Sequence, residues 1–170
     1  MNKLFTIITL LLSFNSFTQS EERFFDDILL ATDSIRVDIF VHYTNEMAVD
    51  KNHIIRKKID SKGLSSQQTN KFVRVINNPQ AVLNYYANYS HQNIEFYLYE
   101  KGNNVGKIIV SSVSGNIIFD DLKGKTETKM LAQTTGQYMI RILKSTDLLQ
   151  YFYPSNLVGF SRGTEKEIQF

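Results

Sequence analysis

The sequence predicts an α+β fold: an antiparallel β-sheet of about four to five strands with helices packed on one of its faces. Three observations lead there. The stretches Ile35–Tyr43 and Ile94–Lys101 alternate apolar and polar side chains, as strands do when one face meets a core and the other meets water. Turn-forming residues divide the region after Ile94 into short runs that read as a meander. Runs with apolar residues at helical spacing lie before and after it and supply the cover that a sheet face needs.

The chain begins with a single cation, Lys3, followed by the apolar run Leu4–Phe14 and the small polar exit Asn15–Ser20. That is the pattern of a secretory signal peptide cut after Thr18 or Ser20. Its eleven-residue apolar core is shorter than the about 20 residues that a membrane span requires. The expected organisation is therefore a signal peptide at 1–20 and a single globular α+β domain at 21–170. The protein is then periplasmic or secreted, with no transmembrane segment after leader removal.

Past the leader, Glu22–Thr32 carries Phe24, Phe25, Ile28 and Leu29 at helical spacing and ends at Asp33-Ser34. Ile35–Tyr43 is the clearest strand: Ile35, Val37, Ile39, Val41 and Tyr43 share one face, and Arg36, Asp38, Phe40 and His42 the other. Met47–Ile59 is compatible with a helix or with a turn at Asp50-Lys51-Asn52 leading into a strand from His53 to Asp60, and the strand is the better reading. Ser65 with Gln68 forms a capping box for a helix that buries Thr69, Phe72, Val73 and Ile76 and stops at Asn77-Asn78-Pro79. Pro79 suits the first turn of a further short helix, Gln80–Tyr89.

The meander follows, with strands Ile94–Lys101, Val105–Ser111 and Ile117–Asp120 parted by Gly102-Asn103-Asn104 and Ser114-Gly115-Asn116. Beyond Gly124, the pairs Met130-Leu131, Thr134-Thr135, Tyr138-Met139 and Ile142-Leu143 recur every fourth residue and predict a long helix. Gly136 weakens it, but Ala132, Gly136 and Ile140 offer a face on which a neighbour can approach closely. Ser145 reads as the cap of a shorter helix carrying Leu148, Leu149 and Phe152 and ended by Pro154, with a polar tail from Ser161.

Composition excludes several functions. Of 170 residues, 42% are hydrophobic and none is cysteine, so disulfide frameworks, cysteine zinc sites, iron–sulfur clusters and thiol nucleophiles are ruled out. Lys and Arg number 19 against 17 Asp and Glu, which is too even a balance for a nucleic-acid binder. No nucleic acid and no cofactor are expected.

The search for chemistry returns no catalytic, cofactor-binding or metal-ligating set. His42, His53 and His91 match no ligand spacing on a single element. Asp38 and His42 share a strand face across Phe40, which makes them the one candidate pair for a small envelope hydrolase or metal-dependent enzyme; polar residues on a solvated sheet face are the commoner meaning. Ser111-Ser112-Val113-Ser114-Gly115 lacks the leading glycine of a nucleophile elbow and reads as a hairpin turn. Gly102–Lys107 lacks the spacing of a phosphate-binding loop.

Aromatic residues give the only emphasis: Tyr85, Tyr86, Tyr89, Phe96, Tyr97 and Tyr99, then Tyr151-Phe152-Tyr153. Alternation sends Phe96 and Leu98 to the core and Tyr97 and Tyr99 to the outer face of the sheet. Tyrosine has a flat apolar face and a polar tip, so Tyr97 and Tyr99 are the candidate partner-binding residues. The leader and the stretch Ile94–Phe119 resemble small exported Bacteroidota proteins over about half the chain. That likeness carries no catalytic motif, identifies no family and implies a compartment only. The expected function is a non-enzymatic binding or interaction domain of the cell envelope, its partner an unknown protein, peptide or glycan. Alternatives are the Asp38/His42 enzyme and an inhibitor or immunity-type protein.

Overall fold

The computed structural model describes residues 23–44, 54–88 and 91–161. The leader, the start of the ambiguous Met47–Ile59 stretch and the tail beyond Ser161 lie outside the described residues. Strands β1 (Ser34–Thr44), β2 (Ile54–Gly63), β3 (Val82–Leu83), β4 (Ile94–Glu100), β5 (Asn103–Val110), β6 (Asn116–Asp120) and β7 (Thr126–Leu131) form a seven-stranded sheet. Its order is β2-β1-β4-β5-β6-β7-β3, and every pairing is antiparallel. Helices α1 (Asp26–Ala31), α2 (Ser66–Ile76) and α3 (Gln133–Ser145) complete the α+β architecture together with 3-10 turns at Pro79–Ala81, Leu148–Tyr151 and Pro154–Phe160.

The strand register aligns the core in rows. Val37 lies opposite Phe96, Phe96 opposite Ile108 and Ile108 opposite Phe119; alongside run Ile39, Ile94, Val110 and Ile117. All are buried, and the helices cover them with Leu29 from α1, Phe72 and Ile76 from α2, and Met139, Ile142 and Leu143 from α3. Phe72 packs against Phe96 with ring centres 4.6 Å apart. Each such side chain stabilises the fold by about 1.5–3 kcal/mol.

Local chemistry fixes the helix ends. Ser65 accepts from the Gln68 amide at 3.3 Å and donates its own amide to the Gln68 side chain at 2.8 Å, the predicted capping box. At the other end of α2, the Arg23 guanidinium donates to the carbonyl of Asn77 at 2.6 Å, so a residue ahead of α1 satisfies the terminus of the next helix.

The sheet has more strands than the sequence suggests, because two stretches expected to be helical join it. The predicted helix Gln80–Tyr89 is, in its described part up to Asn88, one 3-10 turn followed by β3: Asn78 accepts from the Gln80 amide, and Val82 then pairs with Leu131. Sheet pairing outweighs the weak helical preference of a run with Val82 and adjacent tyrosines. Likewise Met130-Leu131 closes β7 instead of opening the long helix, which begins only at Gln133. The expected shorter helix after Ser145 is also different. Ser145 ends α3, Asp147 turns with φ 60°, and Pro154 opens a 3-10 segment instead of ending one.

That last segment seals one end of the molecule. Leu157 and Phe160 are fully buried. A Cβ on Gly159 would lie 2.2 Å from the Gly115 amide nitrogen in the β5–β6 turn, and one on Gly136 would lie 2.6 Å from the Phe160 carbonyl oxygen. Both contacts demand glycine.

Candidate functional site

The helices leave the opposite sheet face to charged and aromatic side chains. Antiparallel register sets Arg36 opposite Tyr97 and Asp38 opposite Glu95 across β1 and β4, with Lys107 of β5 opposite Tyr97 on its other side. Two carboxylates facing each other would repel. Here each is wrapped by its own donors. Asp38 accepts from the Ser61 hydroxyl at 2.6 Å and the Arg36 Nε at 3.0 Å, with the Lys58 ammonium at 3.4 Å. Glu95 accepts from the Arg56 guanidinium at 2.8 Å and from the Tyr97 hydroxyl, with the Lys107 ammonium at 3.9 Å.

Asp38 and Glu95 are only 2% and 3% exposed. Both are enclosed, and their charge is met by internal partners. What faces outward is the layer above: the Arg36 guanidinium carbon sits 4.5 Å from the Tyr97 ring centre and 5.7 Å from that of Tyr99. Arg56 lies 3.5 Å above the Phe40 ring in the same way. Cation and ring faces attract, and each fixes the other's orientation. Burial, then the hydrogen bond to Glu95 and its charge, push the Tyr97 phenol up from 10.0 to about 12.

The sequence-predicted residues fare differently. Tyr97 and Tyr99 lie on the outer face, half-buried, and Phe96 and Leu98 lie in the core, as alternation requires. The described members of the wider aromatic cluster are dispersed, and Tyr89 lies outside the described residues. Tyr85 and Tyr86 follow β3 at the far edge of the sheet, Phe152 is buried, and the Tyr151 hydroxyl donates to Asp60 at 3.0 Å. Asp38 and His42 serve separate networks: His42 bonds through Nε2 to the Gln92 carbonyl at 2.9 Å. Ser112 lies buried in the β5–β6 turn, where it donates through its amide to Asn93 at 3.0 Å and through its hydroxyl to the Asn156 carbonyl.

One juxtaposition escapes sequence reasoning. The residues just before β4 run beside the outer half of β1, held by the Phe40 amide on the Asn93 carbonyl at 2.8 Å. This brings the His91 ring to 5.3 Å from that of His42, centre to centre. Both line a cleft of about 210 Å³ walled by Phe40, Phe152 and Asn156. Burial and then the neighbouring His42 push the His91 imidazole below its ordinary 6.5. Among the described residues, no group of three or more His, Asp or Glu side chains is placed to hold a metal ion.

Fold and site together define an α+β protein with an antiparallel seven-stranded sheet, helices on one face, and an aromatic and guanidinium platform on the other. Comparison with protein-family models, curated proteins and solved structures finds no match. Among the described residues, no helix is long and apolar enough to cross a membrane.

Proposed function

We propose that this protein is an exported, non-enzymatic binding protein of the cell envelope that engages a protein, peptide or glycan through the outer sheet face. The observation that carries this reading is the stack of Arg36 on Tyr97 and Tyr99 above carboxylates already consumed by internal partners. A ring surface carrying one guanidinium, with the Tyr97 hydroxyl turned to Glu95, suits the apolar face of a sugar or an aromatic or acidic peptide side chain. A hydrolase using Asp38 and His42 draws less support, because Asp38 is enclosed and paired with Arg36, Lys58 and Ser61. A partner that is itself an enzyme would make the protein an inhibitor through the same surface.

The test uses glycan and peptide arrays, with cross-linking in the native envelope, on the wild-type protein and on Tyr97→Ala and Tyr99→Ala. Both variants are expected to keep the fold and to lose capture by about tenfold or more, as truncated aromatic anchors do. Collapse of both folds, or capture unchanged in both, overturns the reading. Fractionation of the native host is expected to find the protein outside the cytoplasm, starting at residue 19 or 21.

A further inference from the structure

We propose that the groove between α2 and α3 binds a small organic anion, a carboxylate or phosphate monoester with a short apolar body, between Lys71 and Arg141. The two helices carry Lys71, Arg74, Arg141 and Lys144 and no Asp or Glu, although the chain holds 17 acidic residues. On the outer sheet face, Arg36, Arg56, Lys58 and Lys107 are each met by a carboxylate. The ion pairs among the described residues leave the helix cations without one.

Position separates these cations into two kinds. Arg74 and Lys144 stand in the last turns of their helices, where a positive charge complements the helix dipole. Lys71 and Arg141 stand further in, one on each helix, and line a groove of about 260 Å³ together with Gln67, Gln68, Tyr138 and Ile142. That volume lies below the about 300–1,000 Å³ of pockets for drug-sized ligands and suits a small one. Buried Ile142 and the Tyr138 ring give the groove apolar surface. The Gln68 amide donates to the Ser145 hydroxyl at 2.9 Å, and that hydroxyl donates to the Ile142 carbonyl at 3.0 Å, so the two helices are tied together before any ligand arrives.

Tyr138 supplies a second, independent sign. It is only 8% exposed and lines the groove, yet its hydroxyl makes no hydrogen bond to any described residue. A buried hydroxyl is ordinarily bonded. The Lys71 ammonium lies 5.6 Å from the Tyr138 ring centre, which holds that cation at the groove. Burial pushes the Tyr138 phenol up to about 12, so it remains a donor at neutral pH. Guanidinium, ammonium and phenol all donate, and among the described residues no carboxylate lines the groove. Such a set recognises an anion. The site belongs to the helix layer and is independent of the Tyr97 and Tyr99 platform on the other side of the sheet.

The test is calorimetric titration of the protein with phenyl phosphate and with benzoate. At least one of them is expected to saturate at one molecule per chain, and phenol, a neutral analogue, to show no saturable binding. Lys71→Gln and Arg141→Gln are each expected to weaken binding by about tenfold or more, as loss of a charge-assisted hydrogen bond does. Both positions are exposed, so circular dichroism is expected to show the fold unchanged. Tyr138→Phe keeps the ring, removes the donor and is expected to weaken binding by about fivefold or more. Arg74→Gln and Lys144→Gln remove the same charge outside the groove and are expected to bind as wild type, as is Tyr97→Ala. Absence of saturable binding of both probes overturns the site. Equal weakening in Arg74→Gln and Lys144→Gln does the same, since it would assign the binding to diffuse charge. Capture by phosphatidylglycerol vesicles with neither probe bound also overturns it and makes the helix cations a membrane-facing surface.

Discussion

Tyr97 joins the two layers of the outer face, since its ring supports Arg36 and its hydroxyl donates to the buried Glu95. Tyr97→Phe keeps the ring and removes the donor. Glu95 retains Arg56 and Lys107, so the cost is expected near about 1 kcal/mol. The pH dependence has a definite sign. The folded state holds the Tyr97 proton more tightly than the unfolded chain, so the associated stability is complete below 10.0 and is lost as pH rises to about 12. Tyr138, raised to about 12 by burial alone, contributes in the same window. Urea unfolding at stepped alkaline pH should therefore show a shallower decline in Tyr97→Phe than in wild type, and shallower still when Tyr138→Phe is added. An unchanged slope would assign the sensitivity to other groups. The facing of Tyr97 and Tyr99 was legible in the sequence, because strand alternation alone dictates it. The partners of Asp38 and the meeting of His42 with His91 were not: they depend on the β1–β2 and β1–β4 register and on a bulge at Ile39 and Phe40, which no local pattern encodes.

At the level of elements, α3 tests competing forces at one position. In a solvent-facing helix, replacing Gly136 by Ala would stabilise by about 1 kcal/mol. Here the new Cβ would meet the Phe160 carbonyl oxygen at 2.6 Å and its Cα at 2.8 Å, both backbone atoms that cannot turn aside. Overpacking of this kind costs about 1–3 kcal/mol. Gly136→Ala is expected to lower the thermal midpoint despite its better helix propensity, and a raised midpoint would mean that the 3-10 segment yields easily. The sequence marked Gly136 as a point of close approach but not the neighbour that uses it. The boundaries of α2 were readable from Ser65, Gln68 and Asn77 because capping is local chemistry. The start of α3 was not, since Met130 and Leu131 fit a helical period by coincidence while pairing with β6 and β3.

For the molecule as a whole, alternation and one-sided helical stripes sufficed to give the α+β class. The full strand count needed β3, too short to signal itself, and β7, concealed at the head of a helical pattern. The final segment, Pro154–Phe160, contributes Leu157 and Phe160 to the core. At about 1.5–3 kcal/mol for each side chain, their burial is a large share of the stability of an ordinary small protein, about 5–15 kcal/mol. A chain ending at Tyr153 is thus expected to lose cooperative unfolding by circular dichroism. Val158→Ala, at a half-exposed position of the same segment, should stay within about 0.5 kcal/mol of wild type. Retained cooperativity in the shortened chain would show that the core closes without this segment. Because Gly159 seats backbone to backbone against Gly115, a polypeptide that has not yet supplied this glycine holds an unfinished interior.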